Sequence, residues 1–407
     1  MEIVTFQNIL IGCFLITFIL GFVVFKTNFC TMGAVSDVVN IGDYARMKAW
    51  FFAIALSILG VAILNYLNLI QINLATSSQS SNPPYLNPNL VFLRHILGGI
   101  FFGIGMTLAS GCGNRTLVRI GGGNIKSIFV FITMGYAAYL MIFTNFGFHL
   151  FTSWMMNFSI NLASFGYTSQ SFDHLITAGL LNDASFPFVS IFIAILILYF
   201  CFKSGDFHKS YDNLLAGGVL GIAVIIAWYL TAGELGLNFM EEAEFLEGDQ
   251  KPYASGVQSL TFVQPSAVFI RFVETGLNSI FINFSLIAAL GIILGSMTYA
   301  ILFKKFRIEW FSSFNDFINH IVGGFLMGVG GVLALGCTIG QGVSGMSTLA
   351  IGSILSLTFI IFGSAITMKI QLYKMVYEDC SYIAAFVCGM CDLRLLPNGI
   401  RKFDPVS

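Results

Sequence analysis

The chain has 407 residues, of which 57% are hydrophobic and 10% are charged. A soluble domain carries roughly 25% charge, so this composition, with a mean hydropathy of +0.84, excludes a soluble globular protein and leaves a polytopic membrane protein. A net charge of −1 supplies no bulk field for nucleic acid, which is excluded as a partner, while membrane lipid is an expected one.

Apolar runs near the spanning length of about 20 residues predict nine transmembrane helices in an all-α chain, at roughly 3–25, 47–70, 91–111, 125–148, 186–203, 212–232, 279–303, 318–336 and 348–370. The first run passes from Ile9 through Phe25 into "KTNFC" with no small-residue cleavage site, so no cleavable leader is expected. It ends at Phe29-Cys30 and re-enters small, polar sequence. The third run, "GGIFFGIGMTLASGC", ends at Cys112 and the eighth, "GGFLMGVGGVLALGC", ends at Cys337. Cys13 and Cys201 lie inside plain helical runs and read as packing residues. The tail 371–407 carries Cys380 and one C-x-x-C at Cys388 and Cys391. Without a second such pair or a nearby histidine, this predicts no metal site, and no cofactor is expected.

Basic residues alternate along the chain. Lys26, Arg46 and Lys48 follow the first run, Arg115, Arg119 and Lys126 the third, Lys203 and Lys209 the fifth, and Lys304, Lys305 and Arg307 the seventh. The intervening segments 71–90, 149–185 and 337–347 have no Lys or Arg. The segment 233–278 mixes Lys251 and Arg271 with Glu234, Glu241, Glu242, Glu244, Glu247, Asp249 and Glu274. Excess positive charge marks the cytoplasmic side. The predicted N-terminus is therefore outside and the tail cytoplasmic.

The two Gly-Cys runs are 225 residues apart and agree at 8 of 15 aligned positions. They lie on the third and eighth spans, an odd number apart, so they cross in opposite directions. This predicts an inverted repeat of the 4+1+4 type: 1–148 (spans 1–4), 149–211 (an outer loop and a linking span), 212–370 (spans 6–9) and the tail 371–407. Both runs lead into segments poor in helix formers, 113–124 and 338–348. These are expected as re-entrant loops that carry Cys112 and Cys337 towards one centre. Gly111, Gly113, Gly336, Gly340 and Gly342 allow close backbone approach there. Cys30 has a similar setting. Its counterpart, sought at the end of the sixth span in 217–233, offers Trp228 and Tyr229 and no cysteine. No Asp or Glu lies near the centre of a span, which disfavours a carboxylate proton relay. His95 and His320 sit at span starts and read as interfacial.

"GFVVFKTNFCTMGAVSD", "GIGMTLASGCGNRT", "GVGGVLALGCTIGQGVSGMS" and the outer "SLTFVQP" together resemble the YeeE/YedE sulfur-transport family of bacterial inner-membrane proteins, over about residues 10–370. The resemblance implies uptake of thiosulfate or a related small sulfur anion. It also implies an hourglass of inverted repeats pinched at the centre, with Cys30, Cys112 and Cys337 lining the path. Neutral thiols are weak donors that would not repel a dianion with a soft terminal sulfur. A transporter is expected rather than an enzyme, with a cytoplasmic sulfur-carrier protein as a further partner. Two other readings stand beside it: a carrier of selenium or another chalcogen species, and a membrane thiol–disulfide oxidoreductase.

Overall fold

A computed structural model of the chain describes residues 4–177, 185–203, 207, 210–246, 251–377 and 379–404. Lys209, Glu247 and Asp249 of the charge pattern lie outside them. Among the described residues nine helical stretches are long and apolar enough to cross a membrane, and the protein is an all-α, multi-pass membrane protein. In chain order the helices are α1 (Val4–Thr27), α2 (Thr31–Ser36), α3 (Ala45–Tyr66), α4 (Phe92–Leu108), α5 (Gly113–Gly121), α6 (Ile125–Phe143), α7 (Ser185–Phe202), α8 (Tyr211–Ala232), α9 (Glu234–Glu244), α10 (Gln264–Glu274), α11 (Phe284–Leu302), α12 (Phe314–Leu333), α13 (Ile351–Val376) and α14 (Tyr382–Asp392).

Polar residues at the edges of the apolar runs start several of these helices. Asn124, Ser210, Asn283 and Ser313 each accept a hydrogen bond from a backbone N–H in the first turn of the next helix. A two-residue antiparallel pair, β1 (Asn89–Leu90) with β2 (Ile160–Asn161), ties two loop segments together.

The helices pair in a reciprocal way. α1 packs on α11 and α3 on α8, while α4 packs on α13 and α6 on α12. At the middle α4 crosses α12, and glycine makes the approach possible. A Cβ at Gly98 would lie 2.5 Å from the Ala334 nitrogen, and one at Gly330 would lie 2.5 Å from the Phe102 nitrogen. The other end of the crossing repeats this with Gly105 against Gly323. Residue 98 meets 330 where 105 meets 323, so the two helices run antiparallel. Without a hydrophobic force between helices in lipid, such close backbone contact is a main source of association. Phe102, Met106, Leu117, Met134, Trp228 and Phe262 are wholly buried around it. On α7 Phe188, Phe192, Ile195 and Tyr199 stay exposed.

Two segments differ from the sequence reading. Residues 113–121, expected as loop, form α5, and 340–345 form a single widened helical turn running into a tighter one, Met346–Thr348. Glycine and Thr weaken a helix in isolation, but 340–345 is buried throughout and α5 on most of its length, and packing overrides propensity.

Candidate functional site

Three helices end in one and the same way. α1 is followed by Asn28 in the left-handed region (φ 54°), α4 by Ser110 (φ 58°) and α12 by Leu335 (φ 61°). After each, the next N–H reaches back along the chain: Phe29 to the Val24 carbonyl (3.3 Å), Gly111 to Met106 (2.8 Å) and Gly336 to Gly331 (2.8 Å). This is the Schellman ending, which satisfies the last carbonyls of a helix. The next residue is a cysteine each time. Its carbonyl accepts the first bond of a new helical turn: Cys30 from Ala34 (3.0 Å), Cys112 from Thr116 (2.9 Å) and Cys337 from Gln341 (2.8 Å). Each thiol therefore sits where one helix has closed its carbonyls and the next opens its N–H groups, the end that favours negative charge.

The three breaks come together. The Cys112 sulfur lies 4.0 Å from the hydroxyl of Thr31, the residue after Cys30, and within electrostatic reach of both Cys30 and Cys337. The Gly340 N–H donates to the Cys337 sulfur at 3.3 Å. Cys112 and Cys337 are at most 2% exposed and Cys30 is 8% exposed, so Cys30 stands at the rim of the cluster. A Cβ at Gly113 would lie 2.8 Å from the Phe262 carbonyl, and one at Gly340 would lie 2.8 Å from the Thr261 hydroxyl. The segment 261–263 is thus gripped between the second and third breaks. Gly111 backs onto the Arg115 stem, Gly336 onto Gln341, and Gly342 onto Trp50 and Leu357.

The sequence reading quoted this segment, within "SLTFVQP", for its family resemblance but did not match it to the Cys30 break. Val263 directly precedes α10 as Cys30 directly precedes α2, though Val263 has helical and Cys30 extended backbone. "FCTMGAV" (29–35) and "FVQPSAV" (262–268) share Phe, Ala and Val at matching places. The stretch 217–233, where a counterpart of Cys30 was sought, lies instead largely within α8 against α3, with the Trp228 indole donating to Ser347 at 3.0 Å. With no cysteine at 263, the match rests on the shared Phe, Ala and Val and on the place before a helix start.

The two sides of the cluster differ in charge. Beside Gly336 a cavity of about 140 Å³ is lined by Asn82, Tyr253, Thr261, Gln264 and Leu335, and among the described residues no charged one lines it. On the Cys30 side the Arg115 guanidinium donates to Asn28 Oδ1, Arg119 donates to the Ser110 carbonyl at 3.1 Å, and Arg46 pairs with Asp37 at 2.9 Å.

Other residues singled out by the sequence lie in packing. Cys13 donates to the Phe284 carbonyl at 3.4 Å and Cys201 to that of Lys48 at 3.5 Å. His95 and His320, near the starts of α4 and α12, are buried, His95 2.8 Å from the Ser356 hydroxyl and His320 2.7 Å from the Asp316 carbonyl. The tail thiols Cys380, Cys388 and Cys391 are buried where α14 folds against α13. Among the described residues no group of three or more His, Cys, Asp or Glu side chains converges to hold a metal.

A family model described as sulphur transport matches residues 26–366. The thiosulfate transporter TsuA of Spirochaeta thermophila is 25% identical over 352 residues, which cover 86% of this chain and 95% of that protein. The thiosulfate transporter TsuA of Escherichia coli is 27% identical over 352 residues, covering 85% of this chain and 90% of its own length.

Proposed function

The chain belongs to the sulphur-transport family, and from that premise we propose that it takes up thiosulfate or a closely related small sulfur anion through the centre where Cys30, Cys112 and Cys337 meet. One observation carries this reading: three cysteines occupy the same cap in three identical helix breaks, and the breaks converge. A helix N-terminus offers unpaired N–H groups to an anion without a formal charge in the membrane. A neutral thiol adds a soft, weak donor that suits a terminal sulfur and would not repel it. The work is passage, not bond chemistry, so the chain acts as a transporter and not an enzyme. Its relatives' names as transporters support that.

The arrangement that goes with this reading is the inverted repeat of 1–148 and 212–370 about the linking helix α7, in the hourglass form. The reciprocal contacts of Gly98 with Gly330 and Gly105 with Gly323 support it. In a bacterial inner membrane the N-terminus lies outside, the neutral cavity beside Gly336 opens outwards, and the arginines of α5 face the cytoplasm. Exposed apolar residues of α7 meet lipid. A cytoplasmic sulfur-carrier protein is the partner this direction implies. It would receive the anion, since the tail thiols are buried.

The test is sulfur-limited growth of a transporter-deficient bacterium on thiosulfate, with sulfate, sulfite and selenite in parallel arms. Wild type and the controls Cys13→Ala and Cys201→Ala should grow on thiosulfate. Cys112→Ala and Cys337→Ala should insert normally, since cysteine packs as a small hydrophobe, and lose most growth. Equal growth of all four variants would place the route elsewhere, and growth on selenite alone would change the substrate.

A further inference from the structure

Buried polar side chains in this protein are generally paired. Near the cysteines the Ser344 hydroxyl bonds the Leu260 carbonyl at 2.9 Å, Thr348 bonds Gly345 at 2.8 Å, and the Trp228 indole bonds Ser347. Three donors in the same neighbourhood break this rule: among the described residues the Tyr85 hydroxyl and the Trp50 indole N–H have no hydrogen-bond partner, and the Thr338 hydroxyl has none besides the nearby Cys112 sulfur. The side chains are 2%, 0% and 3% exposed. A buried donor left without a partner is destabilising, and an apolar residue of the same shape would be tolerated better there. Something other than stability must explain three of them.

Their positions follow the thiols. Tyr85 stands within electrostatic reach of Cys337, its ring edge-on to Trp228 at 6.1 Å. Burial, with the nearby Cys337 thiol, pushes its hydroxyl well above the ordinary tyrosine range, so it stays a neutral donor. Thr338 comes directly after Cys337 in the chain, and its hydroxyl faces the Cys112 sulfur and has no other partner among the described residues. The Trp50 ring stacks on Phe29, the neighbour of Cys30, at 5.7 Å and 17°. Its far edge would lie 3.1 Å from a Cβ at Gly342. Tyr85 and Thr338 thus lie beside Cys337 and Cys112, and Trp50 stacks on the neighbour of Cys30. The Asn114 carbonyl oxygen is also buried and unpaired, but as an acceptor it would serve an anion only with its amide reversed, so it does not join the three.

We propose that Tyr85, Thr338 and Trp50 are anion-binding residues, which replace the hydration of a tetrahedral sulfur dianion in turn as it passes Cys337, Cys112 and Cys30. This rests on the sulfur-anion reading above and assigns its oxygen-binding half. The thiols meet the soft sulfur, and the hydroxyls and the indole meet the hard oxygens. Hydrogen bonds to charged groups are stronger than neutral ones, so each donor carries a measurable share of affinity.

Tyr85→Phe, Thr338→Val and Trp50→Phe in the full-length chain test this. Two readouts are needed: uptake of labelled thiosulfate into proteoliposomes, and the thiosulfate-induced rise in melting temperature of the purified protein. Tyr85→Phe and Thr338→Val keep shape and lose only the donor. Their melting temperature without thiosulfate should be unchanged or higher, while KM rises roughly tenfold to a hundredfold and the thiosulfate-induced rise shrinks. Trp50→Phe also loses volume and is judged by the thiosulfate-induced rise alone. Variants with wild-type KM and wild-type response, beside a wild type that transports, overturn the proposal and leave the sulfur-anion reading intact. A lowered melting temperature with unchanged KM makes the residues structural and also overturns it. A wild type that neither responds to thiosulfate nor takes it up removes both.

Discussion

The turn at Ser110-Gly111-Cys112 and the turn at Leu335-Gly336-Cys337 have the same left-handed residue, the same backward hydrogen bond and a cysteine at the same cap. Beyond the cysteine the two stretches of chain differ. α5 carries Arg115 and Arg119, whose guanidinium groups reach back to Asn28 and Ser110. The turn Gly340–Gly345 has no charged residue and is buried throughout. The backbone of one break recurs in the other, while charge stands on one side only. A shared backbone is enough to bring two thiols to one centre. The uneven charge is what gives such a centre two unlike ends, a neutral cavity and a cationic rim.

The largest effect expected from disturbing this likeness is at the crossing that holds the two turns together. Gly330→Leu forces a side chain against the Phe102 backbone, and Gly105→Leu does so against Gly323. Overpacking a tight core costs about 1–3 kcal/mol even in forgiving sites. Both variants should yield little monodisperse protein on detergent size exclusion, and by similar amounts. If one were tolerated and the other not, the two ends of the crossing would not be equivalent. A middle-sized effect is expected from the uneven part. Arg119→Gln keeps a donor for the Ser110 carbonyl but removes the charge. Uptake should fall about threefold to tenfold at constant protein, with a smaller deficit at high salt, where charges separated by more than roughly 8 Å are screened. An unchanged rate at low salt would mean that the charge difference between the turns has no bearing on passage. The smallest effect is expected far from both turns. Arg271, 2.8 Å from Glu274, holds that carboxyl below its ordinary range. A depressed carboxylate contributes above its unfolded pKa and loses that contribution only as the pH falls through the lower folded value. Glu274 should therefore stay ionised across roughly pH 5–8. Glu274→Gln should leave the pH profile of uptake in that window as it is in wild type. A new inflection there would reopen proton coupling through carboxylates.

The spans were legible because lipid imposes a length and a composition that no other pressure disguises. The nine apolar runs read from sequence overlap the nine spanning stretches found among the described residues, although the first and third stretches run on past the cysteine breaks to Ile41 and Gly121. The Gly-Cys repeat was legible for a related reason: close helix approach tolerates only small residues, so Gly98, Gly105, Gly323 and Gly330 remain a visible pattern. Other features left no such mark. A left-handed residue that is Asn in one break, Ser in the next and Leu in the third shares no letter, and only its φ identifies it. Val263 holds the place of a cysteine without being one. Trp50 and Tyr85 look like ordinary apolar filling in sequence, and their unpaired donors appear only when every neighbour's hydrogen bonds are traced.

The Schellman endings also decide which sign of ion the breaks can accept. Cation filters coordinate their ions with free carbonyl oxygens. Here those oxygens are engaged. Val24, Met106 and Gly331 accept from the chain beyond each break, Arg94 donates to Leu333 at 2.9 Å, and the Gln341 amide donates to Ala334 at 2.6 Å. A sodium or potassium ion arriving at a break would have to displace a hydrogen bond to gain each ligand, whereas the helix starts present N–H groups that repel it. A cell that keeps its interior electrically negative draws such cations inwards continuously. On the proposed path these hydrogen bonds, from the backbone and from the Arg94 and Gln341 side chains, would close the breaks to cations, so anion uptake would not short-circuit the membrane potential.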